Sequence, residues 1–224
     1  MAILQLMMNS NLFLRDPRDT ELGRKIVQES VRLIDELGFE AFTFKKLAKE
    51  INSTEASVYR YFENKHRLLI YLIAWYWNWL EYRIDYSTHN LPNPTDRLKV
   101  ALKVVTEFKS QDPQFPDIDE SALFRVVINE SDKTYLTRQV DEENKEGLFR
   151  GYKSLCKKVA DIIKEINPRY PYPHALVSTA MQASHQQIYY ARHLPSLTEL
   201  QANEQMYSAN YQYLLNLIQS AIKA

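Results

Sequence analysis

An all-α fold, with a small N-terminal three-helix unit ahead of a larger helical domain, is predicted by three features of this sequence. Glycine is rare at 4 of 224 residues, and the 9 prolines fall in clusters at positions 17, 92 and 94, 113 and 116, 168, 171 and 173, and 195. Proline breaks a helix interior, and between these clusters apolar residues recur with helical spacing. No stretch alternates apolar and polar residues over a strand length. Val126–Ile128 is β-branched, but it sits inside a helical pattern.

Each element follows from these signals. A first helix is expected over residues 19–37, with Leu22, Ile26, Leu33 and Leu37 as its apolar stripe and Ser30 completing the face. Gly38 ends it. Two short helices and a long one fill the chain up to Pro92. Helices are then expected over 95–109, 118–130, 134–166 with an interruption near Gly147, 174–193 and 196–223. Ser196-Leu-Thr-Glu199 has the spacing of a capping box for the last of these. Residues 1–14 lack the basic start of a secretory signal and are expected to form a loose or accessory arm, with Met7 or Met8 as alternative starts. The division expected is 1–66 for the arm and first domain, and 67–224 for the second.

Composition excludes several functions. Lys and Arg number 28 and so do Asp and Glu, so the formal net charge is zero. Any attraction to nucleic acid must come from a local patch. The single cysteine, Cys156, permits no intrachain disulfide and no multi-cysteine metal site, which suits a reducing cytoplasm. A structural thiol is the plain reading of Cys156, and a redox sensor the alternative. No HExxH, G-x-S-x-G, Walker A or GxGxxG pattern occurs, so no enzyme, metal or cofactor is expected. His174 and His185 would lie about 16 Å apart along one helix, too far to share a metal. Leu68–Leu80 is the most apolar run and is too short to span a membrane.

The segment from Thr43 to Lys65 carries the functional signal. Thr43 can cap one short helix, in which Leu47, Ala48 and Ile51 share a face. Asn52 stands where the chain must turn, and asparagine tolerates the left-handed conformation. Thr54 can cap the next helix, whose Val58 and Phe62 point inward one turn apart. Ala56 and Arg60 face outward, flanked by Ser57 and Tyr59. Two short helices joined by a tight turn form the helix-turn-helix that docks on double-stranded DNA. Arg60 can donate two hydrogen bonds to a guanine edge or one to a phosphate, and Ala56 keeps the helix slim. Ser57 and the tyrosine hydroxyls can reach phosphates or base edges. Lys45, Lys46 and Lys65 supply local positive charge. The bland alternative is a solvated helical hairpin, but turn, caps and inward pairs agree with one another.

These residues carry a family resemblance. Gly38-Phe-Glu-Ala-Phe-Thr43, Leu47-Ala48, Val58-Tyr-Arg-Tyr-Phe62, Asn64-Lys65 and Leu68-Leu69 resemble the TetR/AcrR family of one-component regulators over about residues 19–69. The resemblance implies a homodimer on a palindromic operator, usually a repressor, acting in the cytoplasm. It implies phosphate contacts from Thr43, Tyr59, Tyr61 and Lys65, and base proximity for Ala56, Ser57 and Arg60. Asn52, Ser53 and Ala56 depart from the glycine, small apolar residue and glycine common there, and Glu55 places a negative charge near DNA.

The helix after Asn64 is apolar nearly all round and is expected to be buried on several sides. Trp75, Trp79, Tyr82 and Tyr86 lie on one stripe with Tyr71. The stripe suits the lining of a cavity for a small apolar or aromatic effector, or ordinary core. The family's dimer interface corresponds here to the last two helices, with Tyr207, Tyr211, Leu214, Leu215, Ile218 and Ile222 as a stripe that serves either an interface or a core. A regulator controlled by a protein partner, and an all-helical enzyme or binding protein, are the competing functions.

Overall fold

The computed structural model describes residues 6–223. Among them the α-helices are α1 (Glu21–Leu37), α2 (Phe44–Glu50), α3 (Glu55–Tyr59), α4 (Lys65–Thr88), α5 (Pro94–Thr106), α6 (Glu120–Glu130), α7 (Asp132–Tyr135), α8 (Val140–Lys145), α9 (Arg150–Ile166), α10 (Pro173–His193) and α11 (Met206–Lys223). No strand occurs among the described residues. Two compact units divide the chain. One holds the described residues through Asn78 and returns for Lys109–Gly151; the other holds Trp79–Phe108 and Tyr152 onward. This cut differs from the one expected after residue 66, because the first unit also takes in the first half of α4 and the helices α6–α8.

Long-range polar contacts explain that difference. Arg125 of α6 grips Asp35 of α1 with Nε at 3.0 Å and Nη2 at 2.7 Å. Glu130 at the end of α6 accepts the Phe39 amide at 2.9 Å. Tyr76 of α4 stacks on Phe124 of α6 with centroids 6.0 Å apart. Every residue from Leu68 to Trp77 is buried, as the apolar run requires. Such burial removes a continuous helix surface from water, and α6 supplies part of the cover through Phe124.

Helix α1 starts at Thr20, whose hydroxyl accepts the Gly23 amide at 3.0 Å, and stops at Gly38 with φ 76. A left-handed C-cap of this kind favours glycine. The face α1 buries is Gly23, Ile26, Val27, Ser30, Val31, Leu33 and Ile34. Leu37 is 43% exposed and lies off that face. The buried face is thus rotated from the expected one: Gly23, Val27, Val31 and Ile34 replace Leu22 and Leu37.

The N-terminal arm is docked over its described part. Leu12 is buried, the Leu14 amide donates to the Tyr61 carbonyl at 2.8 Å, and Asn9 Nδ2 donates to the Glu146 and Gly147 carbonyls. Residues 1–5 of the expected loose arm lie outside the described residues.

In the second unit α10 packs on α11 and both meet α5. Asn210 of α11 is buried and donates to the Ser184 carbonyl of α10 at 3.0 Å. The expected capping box at Ser196 does not form. Thr198 is extended, bonds Gln187 of α10 and accepts the Leu200 amide, so α11 begins only at Met206. The expected helix over 134–166 is cut at Gly147 as anticipated, and a second time between α7 and α8.

One cluster holds the loop between α1 and α2. Lys65 Nζ donates to the carbonyls of Phe39, Glu40 and Phe42 at 3.0, 3.2 and 3.3 Å, and it sits 4.6 Å from the Phe39 ring centroid. Lys133 approaches the same ring at 5.9 Å and pairs with Glu130 at 2.7 Å and Glu40 at 3.2 Å. Replacing Lys65 by Met keeps the stem and removes the donor. Urea denaturation should show a loss of about 1–3 kcal/mol, the usual cost of orphaned carbonyls. An unchanged midpoint would mean the ammonium holds nothing.

Glu120 gives a pH prediction. Its side chain is fully buried and accepts the Asp112 amide at 2.9 Å. Burial pushes its carboxyl up to about 7, against backbone hydrogen bonds that pull it down. Between the ordinary value of 4.5 and about 7 the folded chain keeps a proton that the unfolded chain has lost. The stability this carboxyl contributes is therefore complete below 4.5 and declines as the pH rises through 7. Thermal midpoints measured across this range should fall less with pH in Glu120→Gln than in the parent, and equal slopes would remove Glu120 as the cause.

Candidate DNA-binding surface

The hairpin α2–α3 is built from local signals. Thr43 Oγ1 accepts the Lys46 amide at 3.2 Å and starts α2. Leu47 and Ala48 are buried, and Ile51 closes the helix. Asn52 then adopts φ 52, the one non-glycine residue with positive φ among those described. That reversal lets the Ser53 amide donate back to the Ala48 carbonyl at 2.8 Å. Thr54 Oγ1 accepts the Ser57 amide at 3.2 Å and starts α3. Val58 and Phe62 are fully buried, so the opposite face of α3 is turned outward.

The outward set matches most of the residues singled out in the sequence. Thr43, Lys45, Lys46, Thr54, Ala56, Tyr59 and Arg60 are exposed, and Ser57 is half-buried with its hydroxyl 3.0 Å from Thr54 Oγ1. Tyr59 is 48% exposed, and its ring is braced edge-on by Phe44 at 5.0 Å. Lys46 Nζ donates to the Ala41 carbonyl at 2.8 Å. Lys45 and Arg60 have no carboxylate partner among the described residues. Lys49 is likewise exposed and was missed by the sequence reading. Its signal was the four-residue spacing from Lys45, which puts both ammoniums on one face of α2. Glu50 is occupied by Arg32 of α1 at 2.6 Å, while Glu55 stays exposed in the first turn of α3.

Two residues expected at phosphates are placed elsewhere. Tyr61 is 2% exposed, and its hydroxyl is hydrogen-bonded to Thr20 Oγ1 at 2.7 Å. The Arg15 guanidinium lies over its ring at 5.5 Å. Tyr61 thus ties the end of the recognition segment to the N-cap of α1 and presents no hydroxyl outward. The ammonium of Lys65 is engaged by the three carbonyls of the α1–α2 loop. No local sequence signal points to the bond between Thr20 and Tyr61 or to the three loop carbonyls that hold Lys65.

The aromatic stripe of α4, expected to line a cavity or to serve as core, has residues in both units. In the first unit, Trp75 is buried and lines a cavity. In the second, Trp79 is fully buried with the Arg83 guanidinium 5.1 Å from its ring centroid. Tyr82 and Tyr86 flank an open depression with Asp85, His89 and Asn90, and Tyr86 is 77% exposed. No helix among the described residues is long and apolar enough to cross a membrane.

Comparison with known proteins agrees with this geometry. Residues 26–72 match the model of bacterial regulatory proteins of the tetR family. The nucleoid occlusion factor SlmA of Mannheimia succiniciproducens is 35% identical over 81 residues, covering 36% of this chain and only 38% of that protein. Two solved structures share the fold. AibR in complex with isovaleryl coenzyme A and operator DNA aligns with TM-score 0.59 at 12% identity, over 87% of this chain and 97% of AibR. The ketosteroid regulator KstR2 of Mycobacterium tuberculosis aligns with TM-score 0.58 at 15% identity, over 92% of this chain and 98% of KstR2. With the cap, turn and outward basic face that residues 43–60 display, the chain carries over residues 26–72 the DNA-binding helix-turn-helix of the tetR family of bacterial regulatory proteins.

Proposed function

We propose that the chain is a ligand-responsive repressor that binds a palindromic operator as a homodimer in the cytoplasm. The observation that carries the reading is the outward face of α2–α3, where Lys45, Lys49, Tyr59 and Arg60 stand exposed around the slim Ala56. Cations on such a face neutralise phosphates, and a guanidinium at the end of a recognition helix suits a guanine edge.

The pairing surface is argued from charge. Helix α10 has no Asp, Glu, Lys or Arg before Arg192, and α11 has none before Lys223. Solvated helix faces are normally rich in charge, and interface cores are depleted of it. The exposed face of α11 instead shows Ser208, Ala209, Gln212, Tyr213, Asn216 and Ser220. Of the stripe expected there, Leu214, Ile218 and Ile222 are buried within the chain, while Tyr207, Tyr211 and Leu215 are only half-buried. A second copy on this face would place two recognition helices on one operator, which a single hairpin cannot specify alone.

Effector control is supported by the cavity beside Trp75 and by the fold shared with AibR, which was solved with a coenzyme A ester and operator DNA. The similarity to SlmA supports a second reading, in which a protein partner replaces the small molecule. No catalytic step is assigned.

Two measurements test this reading. Arg60→Ala should weaken binding to the protein's own upstream operator by about 1–3 kcal/mol, and binding to random DNA by less. Equal losses on both would make Arg60 a phosphate contact. Ala209→Arg adds a charge at an exposed site, so the fold should survive. Sedimentation should then show monomer where the parent is dimeric, with operator affinity lost. A variant that sediments like the parent would move the interface off α11.

A further inference from the structure

The cavity beside Trp75 lies wholly within the first unit and measures about 370 Å³. Its walls come from four places, one of them the chain before α1, with Leu6, Pro17 and Arg18. Helix α1 contributes Arg24 and Val27, and α4 contributes Tyr71 and Trp75. The segment before α6 contributes Phe115, Pro116 and Ile118, with the Phe115 ring edge-on to Trp75 at 5.6 Å. That volume suits a small metabolite.

Two polar groups at its wall keep hydrogen-bonding capacity that no carboxylate among the described residues takes up. Tyr71 is 1% exposed, with its ring held edge-on by Phe62 at 5.3 Å and Phe13 at 6.2 Å. Its hydroxyl has no hydrogen-bond partner among the described residues, yet the residue lines the cavity. Desolvation keeps this phenol protonated well above its ordinary range, so it is a hydrogen-bond donor at any working pH. Arg24 is half-buried and donates Nη1 to the Arg18 carbonyl at 2.7 Å, with no carboxylate partner among the described residues. Arg18, also at the cavity, is already matched by Asp16. Asp117 at the rim is exposed, where water screens it. The charge left without a carboxylate among the described residues is therefore the Arg24 guanidinium, and the donors open to a ligand are this guanidinium and the Tyr71 phenol.

We propose that this cavity binds a small amphipathic carboxylate, and that this ligand is the effector, an inference that rests on the ligand-responsive reading above. The carboxylate accepts from Arg24 and from the Tyr71 hydroxyl. The apolar body lies against Trp75, Phe115 and Ile118. Charge-assisted hydrogen bonds to a partly buried guanidinium are the strong kind, and the aromatic walls favour a flat or branched body. A cationic ligand would find the aromatic rings but would face Arg24 and Arg18.

The test uses the full chain and four named probes: octanoate, phenylacetate, 4-phenylbutyrate and, as the charge-reversed control, 4-phenylbutylamine. Saturation-transfer NMR at about 5 mM should register carboxylates of this size. Tryptophan fluorescence should then titrate, since Trp75 is in the wall. Arg24→Gln should weaken carboxylate binding by about tenfold or more. Tyr71→Phe should weaken it several-fold while leaving the thermal midpoint unchanged, because the hydroxyl holds no hydrogen bond to the described residues. A merely structural tyrosine would lower that midpoint instead. Failure of all three carboxylates to bind, an amine that binds as well, or an Arg24→Gln protein with parental affinity would each overturn the assignment. Gel shifts on the operator, run on the same samples, separate the two readings. Operator binding without carboxylate binding removes this inference alone, and carboxylate binding without operator binding removes the repressor reading and leaves the site.

Discussion

The loop between Gly38 and Thr43 is the constraint on which the rest of the DNA-binding unit depends. It joins α1 to α2 and has no helix of its own to satisfy its backbone. Three of its carbonyls are met by one ammonium, Lys65 at the start of α4, and the Phe39 amide is met by Glu130 at the end of α6. Phe39 itself lies between two ammoniums. Four helices thus end or begin on six residues of loop. A buried carbonyl or amide without a partner costs about 1–3 kcal/mol, so this convergence fixes the register of α2 against α1. It also explains why Lys65 and Glu130 hold the hairpin in place while neither faces outward from α3.

The parts of this arrangement that were legible in the sequence are the local ones. Thr43, Thr54, Asn52 and Gly38 each act within four residues of where they stand, through caps and positive φ that residue type alone can signal. The continuous burial of Leu68–Trp77 was legible because no polar face interrupts it. What was not legible depends on residues far along the chain. Tyr61 is turned inward by Thr20, 41 positions away. The capping motif at Ser196 fails because Thr198 bonds to Gln187 on α10. The arm is docked because Asn9 reaches carbonyls at Glu146 and Gly147, at the end of α8. A motif reports what a residue can do locally, and a competing long-range partner decides whether it does so.

Charge distribution separates the surfaces of the two units in kind. The net charge is zero, yet the carboxylates next to the hairpin are largely matched within the first unit: Glu50 by Arg32, and Asp35 by Arg125. Lys45, Lys49 and Arg60 remain without such partners, so a chain with no global field still presents a local positive face. Helices α10 and α11 reach a different state by omitting charge almost entirely. A face without ammoniums or carboxylates costs less to dehydrate than a charged one, which suits pairing of two copies better than contact with phosphate.

The carboxylate site also bears on how a signal would reach the recognition helix. Gly23 has no Cβ, and one there would sit 2.2 Å from the Pro17 carbonyl, so the turn at Pro17 packs directly on α1. One step away, Thr20 both caps α1 and bonds Tyr61, two residues past the end of α3. A ligand drawn to Arg24 therefore pulls on α1 within one turn of the residue that anchors α3. The energies are commensurate. Releasing a neutral hydrogen bond such as Thr20–Tyr61 costs about 1 kcal/mol, whereas a charge-assisted bond at Arg24 contributes about 1.5–3 kcal/mol. A ligand shifts an equilibrium only by its preference between the two arrangements, and a surplus near 1.4 kcal/mol already changes their ratio tenfold. The route through α1 thus needs only that a cavity residue, Arg24, and a recognition anchor, Thr20, lie within one turn of each other on one helix.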